Sequence, residues 1–306
     1  MKHIQSEDKK VTKYLHDNGA ETSIKLALSG EYDENLNLQH KDNNKYSIVI
    51  SGSVGCLMSC KFCHITTNNI KHKELTTGEI ISNVMESIQK QAELTPEIKN
   101  KFIKLCWMGS GEPLTYSEKV KEATKEIVKQ VLVQKLAVGL DGVDIATTYP
   151  KTNKWKKDFS ELNKALNNIE LNPKHNGSAL RLFYSLHSAS NATRENLIPN
   201  SRSPDKAMSA ISEWCKTNNV DFIVHHMFIN NVNDNISDIR SLKDLLSKNI
   251  DVATEFRILR YNAPDNGTKE SIKLKEIVSD LKTFIPKMKI QHSSGAEIKS
   301  ACGQFL

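Results

Sequence analysis

Three of the six cysteines in this 306-residue chain lie within eight residues, in the spacing C-x3-C-x2-C. They are Cys56, Cys60 and Cys63, and the segment around them is too polar to suggest inert buried thiols. Three thiolates from one loop can bind three irons of a four-iron four-sulfur (4Fe–4S) cluster. The fourth iron then has no protein ligand and can bind a small molecule. The spacing therefore favours an iron–sulfur site with one open position.

Two other kinds of site would use the same residues. A structural zinc site could add His64 to the three thiolates, although zinc ligands usually come from two separated segments. Cys60 to His64 also matches C-x-x-C-H, the pattern of c-type haem attachment. That attachment normally requires export, and Met1 to Asp8 contain no apolar stretch typical of a secretory signal. Both alternatives stay open, and the iron–sulfur cluster is favoured.

Composition limits the class of protein. Charged residues make up 25% of the chain and hydrophobic residues 38%, which is too balanced for a disordered protein. No apolar run approaches the ~18 residues that span a bilayer, so we expect no membrane segment. Six cysteines without an export signal favour metal binding or catalysis over a disulfide framework. The net charge of +6 permits a polyanionic partner without requiring one. We expect a monomeric cytoplasmic protein.

From Tyr46 onward, apolar strands alternate with amphipathic helices. The predicted strands are near Ser47–Ser51, Ile103–Met108, Val143–Thr148, Leu180–Leu186, Phe222–Phe228 and Ala253–Tyr261. The predicted helices are near Thr77–Ala92, Ser117–Leu132, Asp158–Asn167, Pro204–Asn218, Ile236–Ser247 and Lys269–Thr283. Thr76 with Glu79 forms a capping-box pattern, and Ser203 before Pro204 is typical of a helix start. Six strand–helix units predict a parallel α/β sheet, open or partly closed as a barrel, with function on loops at the carboxyl ends of the strands.

The first 45 residues have a different pattern. Asp17-Asn18-Gly19 separates two apolar-alternating runs, Val11–His16 and Glu21–Leu28, which predicts a β-hairpin. Ser29–Asn44 is polar and predicts a linker or long loop. We therefore divide the chain into a hairpin extension with its linker, residues 1–45, and a core, residues 46–306.

The cysteine triplet at the end of the first strand of an α/β sheet resembles the radical S-adenosylmethionine (radical SAM) superfamily. Further motifs follow later strands: Trp107-Met108-Gly109-Ser110-Gly111-Glu112-Pro113, Ser185-Leu186-His187, Asn262, and Ala301-Cys302-Gly303-Gln304 near the C-terminus. Together they resemble the RlmN/Cfr family, which methylates C2 or C8 of adenosine in RNA. The resemblance runs from about Ser6 to the end of the chain.

The resemblance implies a partial (β/α)6 barrel that binds a 4Fe–4S cluster and SAM. The cluster would be held by Cys56, Cys60 and Cys63, and its open iron would chelate SAM. The SAM pocket would be formed by Gly111, Glu112, Ser185, Leu186, His187 and Asn262. Glu112 would accept hydrogen bonds from the SAM ammonium group, because a carboxylate suits that donor. The family also takes its electron from a flavodoxin- or ferredoxin-type donor.

In the family, the cysteine of the A-C-G-Q motif carries the methyl group, which assigns this role to Cys302. It receives a methyl group from one SAM, and the 5′-deoxyadenosyl radical from a second SAM abstracts a hydrogen from that group. The carbon radical then adds to an electrophilic sp² carbon of adenine. Glu21 aligns with the family's proton acceptor. The implied activity is methylation of adenosine in ribosomal or transfer RNA.

The sequence departs from the family in several places. Family members carry a second cysteine seven residues before the first cluster cysteine, and this chain has Val49 there. Cys106 could substitute for it, although a buried strand thiol is the favoured interpretation, and Cys215 is expected to be structural. At the third strand, Ala146-Thr147-Thr148 replaces a more serine-rich motif, which removes one expected SAM contact. The family's N-terminal accessory domain is expected to be absent.

Two alternative functions stay open. A radical SAM enzyme of the same fold could act on another nucleotide, a peptide or a small molecule, as Val49 suggests. A non-catalytic homologue could bind a cluster and RNA without turnover. Four lysines around Trp155, at Lys151, Lys154, Lys156 and Lys157, could contact phosphates, but a solvated surface is the favoured interpretation.

Overall fold

The computed structural model describes residues 1–26, 29–33, 35–41, 44–152, 154–175, 177–249, 255–285, 287–301 and 303–305. Within these ranges the chain forms fourteen strands and eight α-helices. The strands are β1 (Lys2–Gln5), β2 (Val11–Leu15), β3 (Glu21–Lys25), β4 (Ser29–Tyr32), β5 (Leu38–Lys41), β6 (Lys45–Val49), β7 (Ser53–Val54), β8 (Lys73–Glu74), β9 (Phe102–Trp107), β10 (Gly139–Thr147), β11 (Leu180–Ser185), β12 (Asp221–His226), β13 (Glu255–Leu259) and β14 (Met288–Gln291). The helices are α1 (His64–Thr67), α2 (Thr77–Leu94), α3 (Ser117–Val133), α4 (Trp155–Leu166), α5 (Asn191–Leu197), α6 (Pro204–Asn218), α7 (Ile236–Ser247) and α8 (Leu274–Lys282).

Seven parallel strands form the centre of the molecule, in the order β6-β9-β10-β11-β12-β13-β14. Residues from all seven line one cavity of ≈ 840 Å³, so the sheet curves around an interior. Its outer strands β6 and β14 pair with β3 and β4 rather than with each other. The predicted α/β class with a parallel sheet is confirmed, and β14 adds a seventh strand to the six predicted.

The strand and helix patterns explain this layering. Successive side chains of a strand face opposite sides. In β9, Lys104 and Cys106 face the cavity, whereas Ile103 and Leu105 are fully buried in the outer core. The helices cover that outer face through apolar stripes, as α2 does with Ile80 and its successors at helical spacing.

Two predicted helix starts are confirmed and one is displaced. Thr76 and Glu79 form the capping box at α2, and α6 begins at Pro204, although the Ser203 side chain makes no capping hydrogen bond. The helix predicted from Lys269 begins only at Leu274. The reason is that residues 270 and 271 pair instead with the chain after β12, where the Ser271 amide donates to the Phe228 carbonyl.

The hairpin predicted in the first 45 residues is confirmed as β2 and β3, with Leu15 opposite Glu21. The linker prediction for Ser29–Asn44 is wrong in its described part, because β4 and β5 form there. β4 pairs with the outer strand β14 and β3 pairs with β6, so both edges of the parallel sheet gain antiparallel partners. The sheet therefore continues through residue 45, and the division into two domains stays a prediction.

The C-terminal segment crosses the open side of the barrel and is held by the N-terminal strands. The Lys13 ammonium donates to the Lys299 carbonyl at 2.9 Å, and the Lys25 ammonium donates to the Ser294 carbonyl at 2.9 Å. The hydroxyls of Ser23 and Ser300 are 2.5 Å apart. These contacts span more than 260 residues of sequence. They fix the end of the chain beside the cavity.

No helix in the described ranges is both long enough and apolar enough to cross a membrane.

A buried ion pair lies beside the contacts between the N-terminal strands and the C-terminal segment, and it gives a stability prediction. Lys13 and Glu21 lie 2.9 Å apart, and their side chains are 4% and 5% exposed. Because a buried carboxylate without its partner is costly, we expect Lys13→Met to lower the free energy of unfolding by roughly 3–5 kcal/mol. Urea denaturation measures the change.

Two further variants control this measurement. The double variant Lys13→Met/Glu21→Gln should recover most of the loss, because it removes the orphaned charge. Lys90→Met, which breaks an exposed pair with Glu93, should cost only about 0–1 kcal/mol. Equal losses in Lys13→Met and Lys90→Met would contradict the structural role of the buried pair.

Candidate active site

The cysteine loop follows β7 and faces the cavity. Cys56, Cys60 and Cys63 all line it; Cys60 is buried and the other two are half-buried. The loop is fixed to the end of α5, since the Lys61 amide donates to the Leu197 carbonyl at 3.0 Å. Gly55 adopts a φ of +67°, and a Cβ there would lie 2.7 Å from the Lys71 carbonyl oxygen. The loop therefore requires glycine at this position.

The electrostatics of the three thiols fit a cationic cluster. Burial raises the pKa of Cys56 to about 11 and raises that of Cys60 well above its usual value. The charges of Cys56 and Cys63 contribute further to the rise at Cys60. The thiols are thus close enough to repel one another as thiolates, and bound iron would remove that repulsion.

The geometry of the donors bears on the type of metal. Among the described side chains, no three His, Cys, Asp or Glu groups are arranged to hold a single metal ion. Three thiolates that each bind a different iron need not converge on one point. Three cysteine thiols on one cavity-lining loop are the kind of donor set that holds three corners of an iron–sulfur cluster.

Glu112 ends the loop after β9 and is fully enclosed, with 4% of its surface exposed. Its Oε1 accepts from Thr147 Oγ1 at 2.6 Å and from the Leu114 amide at 3.2 Å. Its Oε2 accepts from the Thr148 amide and hydroxyl at 2.8 and 2.9 Å. Burial raises the pKa of the carboxyl, and these hydrogen bonds act in the opposite direction. Glu112 is therefore held rigidly at the cavity wall by the end of β10.

Gly111 precedes it and also lines the cavity. Its φ is +104°, and a Cβ there would lie 2.4 Å from the Tyr116 hydroxyl oxygen and 2.6 Å from Ser53 Oγ. No other residue type fits without displacing these groups.

The side chains of the Ser185-Leu186-His187 motif, at the end of β11, do not all face the cavity. Ser185 and His187 line the cavity, as their alternation predicts, whereas Leu186 is fully buried in the core. The His187 ring packs edge-on against Phe62 of the cysteine loop, with ring centroids 5.0 Å apart. Burial lowers the pKa of His187 well below its usual value, so the ring is neutral at physiological pH. The motif therefore links β11 to the cysteine loop.

Asn262 contacts a residue that lines the cavity. It follows β13, and its Nδ2 donates to Ser293 Oγ at 3.2 Å. Ser293 lines the cavity, but in the described part of the chain Asn262 does not. The cavity thus brings together every predicted SAM contact except Leu186, whose side chain faces the core, and Asn262, which contacts the cavity-lining Ser293.

Cys302 lies outside the described residues, but both of its neighbours are described. Ala301 and Gly303 line the cavity. The Gly303 carbonyl accepts from the His64 amide at 2.8 Å and from the Cys63 thiol at 3.5 Å. The A-C-G-Q motif therefore packs directly on the cysteine loop.

Glu21, the predicted proton acceptor, is buried under the same C-terminal segment. Its carboxylate pairs with Lys13, and its backbone carbonyl accepts from Ser51 Oγ at 2.6 Å. Its position is close to the segment that carries Cys302, although its partner there is a lysine. Its role in proton transfer stays a prediction.

Val49 and Cys106 are directly opposite one another on β6 and β9. Phe305 packs on both, and the three form a small buried apolar cluster. Burial raises the pKa of the Cys106 thiol to about 12, so very little thiolate exists at neutral pH. This supports the interpretation of Cys106 as a buried strand thiol. Cys215, in α6, is also buried.

Comparison with known proteins finds relatives along nearly the whole chain. The dual-specificity RNA methyltransferase RlmN of Sulfurovum sp. (strain NBC37-1) is 25% identical over 298 residues, which are 95% of this chain and 75% of the relative. The probable dual-specificity RNA methyltransferase RlmN of Clostridium botulinum (strain Hall) is 27% identical over 317 residues, 100% of this chain and 79% of the relative. In sequence, this chain is related to the RlmN RNA methyltransferases. The resemblance read from the motifs is confirmed.

The fold likeness agrees with this relation. The crystal structure of a radical SAM methyltransferase from Sphaerobacter thermophilus superposes with a TM-score of 0.69, covering 99% of this chain and 80% of that one at 19% identity. At that identity the likeness concerns the fold, and it confirms the predicted partial barrel. No family model matches the chain.

Sequence reasoning missed one residue that organises the RlmN-like motifs. Arg194, on α5, is 1% exposed. Its guanidinium donates to the carbonyls of Thr148 (2.7 Å), Ser185 (2.6 Å) and Leu186. It therefore ties the ends of β10 and β11 together. Its spacing in the sequence gives no signal, because the contacts arise only when three separate segments meet.

The cluster assignment predicts an iron-binding defect. After anaerobic reconstitution, we expect the wild type to bind about four irons and Cys56→Ala to bind far fewer, because one of three protein ligands is lost. Iron and sulfide assays with the visible absorption spectrum measure the difference. Cys215→Ala removes a buried thiol of α6 and should keep full iron content. Full iron content in Cys56→Ala would refute the assignment.

The raised pKa of Glu112 predicts a pH dependence of SAM binding. An ammonium group favours the ionised carboxyl, whereas burial favours the neutral one. SAM affinity of the reconstituted protein should therefore fall as the pH is lowered below neutral toward the raised pKa of this carboxyl. Glu112→Gln should bind SAM about tenfold more weakly and lose this dependence.

Equilibrium dialysis with labelled SAM checks both effects. Glu118→Gln, an exposed carboxyl in the first turn of α3, should behave like the wild type. The same pH dependence in Glu112→Gln would show that another group binds the ammonium.

Proposed function

We propose that this chain is a radical SAM enzyme that methylates an sp² carbon of adenosine in RNA through S-methylation of Cys302. The supporting observation is that three motifs distant in sequence face one cavity. The cysteine loop, the ends of β9 to β11 and the neighbours of Cys302 all contribute to its wall. Such convergence of thiols, polar strand ends and a single cavity is typical of a catalytic site.

In this proposal, Cys56, Cys60 and Cys63 bind the cluster and Glu112 binds the SAM ammonium. When bound, the cluster supplies the electron for reductive cleavage of SAM. Thr147 and Thr148 occupy both oxygens of Glu112, and a bound ammonium would take the place of a threonine hydroxyl, which can rotate away.

An apolar shell surrounds the cysteine loop and would exclude water from it. Buried Phe62, Met58, Leu259 and Tyr261 pack together, and Cys56 and Cys63 contact this group. A dry environment of this kind tunes the potential of a cluster and protects a carbon radical from side reactions. The shell also includes Leu197, Ile198, Met227 and Ile229, so it comes from four separate parts of the chain.

Cys302 would carry the methyl group because its segment is fixed against the loop. The Gly303 carbonyl accepts from the Cys63 thiol and the His64 amide, which holds the residue after Cys302 on the cysteine loop. Lys13, Ser23 and Lys25 hold the same segment from the other side. The substrate adenosine would lie in ribosomal or transfer RNA, and the electron would come from a flavodoxin- or ferredoxin-type donor. We propose further that the enzyme acts as a cytoplasmic monomer.

A second candidate is a radical SAM reaction on another substrate, and Val49 favours it. Where the RlmN/Cfr family has a second cysteine, Val49 packs against Phe305 and offers no thiol. Release of a covalent RNA intermediate would then need a different route. A substrate that forms no covalent intermediate with the protein would not need such a release route. A binder without turnover would cleave no SAM at all.

Methyl-labelled SAM separates these functions. After anaerobic reconstitution and reduction with labelled SAM, peptide mass spectrometry should find the labelled methyl on Cys302. Cys302→Ala should carry no label, while Cys215→Ala should be labelled like the wild type. A label on Cys302 together with 2- or 8-methyladenosine in added RNA supports the proposal. Release of 5′-deoxyadenosine without a methyl on Cys302 indicates the second candidate, and neither product indicates a binder.

A further inference from the structure

Arg194, the buried residue of α5, carries a positive charge that has no ion-pair partner among the described residues. Its guanidinium donates to the carbonyls of Thr148, Ser185 and Leu186 and, from Nε, to Ser201 Oγ at 3.2 Å. All of these acceptors are neutral. Arginine cannot lose its proton in a protein, so a permanent positive charge is enclosed here at 1% exposure.

The surroundings of this guanidinium satisfy its hydrogen bonds but not its charge. Burying a charge costs free energy unless hydrogen bonds and an opposite charge compensate it. Besides its hydrogen bonds, the Cζ atom of Arg194 lies 5.3 Å from the centroid of the Tyr184 ring. The face of an aromatic ring gives a cation only part of the stabilisation that an anion gives. The site therefore favours an anion nearby.

The segment that carries Arg194 packs directly on the cysteine loop. Leu197, the last residue of α5, lies in the same buried apolar cluster as Cys60. Its carbonyl accepts from the Lys61 amide at 3.0 Å. Three residues further on, Asn200 Nδ2 donates to the Leu57 carbonyl at 2.7 Å. These contacts lie on both sides of Cys60 in the sequence, so the loop is attached to the segment with the enclosed charge.

The charge of Arg194 acts on the thiols of this loop. Burial raises the pKa of Cys60, the charges of Cys56 and Cys63 raise it further, and Arg194 acts in the opposite direction. The carboxyl of Glu112 also raises the pKa of Cys60, but its effect is smaller than that of Arg194. A SAM ammonium on Glu112, as proposed above, would compensate that carboxylate and leave the arginine charge available to the thiolates.

An iron–sulfur cluster held by three thiolates is an anion of the kind that this site favours. The thiolates carry more negative charge than the oxidised core carries positive charge, and reduction adds a further electron. Coulomb attraction grows with the charge, so a fixed cation stabilises the reduced form more than the oxidised form. Net charge near a cluster is one of the factors that set its reduction potential.

We infer that Arg194 is a buried counter-ion of the iron–sulfur cluster and raises its reduction potential. The inference rests on the cluster that the proposed function requires, and it gives that cluster a charged neighbour outside the cysteine loop. Arg194 acts through its charge and through the backbone carbonyls of Thr148, Ser185 and Leu186. It is therefore a positioning residue rather than a catalytic one.

Redox titration of the anaerobically reconstituted protein, followed by electron paramagnetic resonance without SAM, tests the inference. Arg194→Gln removes the charge. We expect the equilibrium constant for cluster reduction to fall about tenfold in this variant, which is about 59 mV toward lower potential for one electron. Arg194→Lys keeps the charge but loses the planar fork of donors, so its potential should remain close to that of the wild type.

Ser201 allows the same test with Arg194 in place, which matters if the Arg194 variants fold poorly. Ser201→Asp would place a carboxylate beside Nε of the guanidinium and keep its other hydrogen bonds. It should lower the equilibrium constant for reduction at least about threefold, because the cation is neutralised. Ser201→Asn, which adds no charge, should keep the wild-type potential. Lys61→Met removes an exposed cation next to Cys60 and should have a smaller effect than Ser201→Asp, because solvent screens that charge.

Equal potentials in the Asp and Asn variants of Ser201, or in the Gln and Lys variants of Arg194, would overturn the inference, because charge would then have no effect. A wild type that binds no cluster would overturn it together with the cluster assignment. The proposed methyl transfer is separable from this result. Potentials that follow the Arg194 charge, in a protein that puts no methyl on Cys302, support the counter-ion while the proposed reaction fails. A methyl on Cys302 with potentials that ignore this charge leaves the proposed function standing and removes the counter-ion.

Discussion

An open parallel sheet has two edges with unpaired backbone groups, and the way this chain covers them determines the rest of the structure. β3 pairs with β6 at one edge, β4 pairs with β14 at the other, and the chain between β3 and β4 links the two edges. The C-terminal segment fills the remaining gap through its contacts with Lys13 and Ser23. The closed arrangement places Gly303 on the cysteine loop, where its carbonyl accepts from the His64 amide and the Cys63 thiol.

This closure places two different chemical environments in one cavity. At the carboxyl ends of the strands, burial raises the pKa of Cys60 and Glu112 and lowers that of His187, so each group is driven toward its neutral form. Halfway down the strands, Asp144 and Arg181 keep their charges because they neutralise each other. The first environment suits a cofactor that brings its own charge.

The elements that carry motifs could be predicted because their signals are local. The cysteine loop, the hairpin at Asp17-Asn18-Gly19 and the capping box at Thr76 each depend on a few consecutive residues. β4 and β14 could not be predicted, since each is four residues long and is stabilised by the other across some 250 residues of sequence. Short polar strands at a sheet edge have little intrinsic preference, and tertiary pairing decides them.

The same distinction applies within the site. Alternation along β11 correctly places Ser185, its last residue, on the cavity face, whereas His187 reaches the cavity from beyond the strand with a φ of +49°. Thr147 and Thr148 hold the carboxylate of Glu112, a contact that the sequence did not predict, while the loss of a SAM contact at this motif stays a prediction. Trp155 is fully buried against Trp214, so it cannot stack on a nucleic-acid base at the lysine-rich segment around it. Each of these contacts joins segments whose meeting no local pattern encodes.

The strongest constraint on the mechanism comes from Val49 and Cys106, the two strand residues that pack against Phe305 of the C-terminal segment. Val49 and Cys106 lie in a buried apolar cluster with Phe305, and burial raises the pKa of the Cys106 thiol to about 12. Thiol–disulfide exchange needs a thiolate, so Val49, which has no thiol, and Cys106, which is driven toward the neutral thiol, are both poorly suited to it in this arrangement. The contact with Phe305 therefore helps to fix the end of the chain and also encloses Val49, the position at which the resemblance expects a second cysteine. If Cys302 carries a methyl group, release of the product needs a route that uses neither Val49 nor Cys106 in this arrangement.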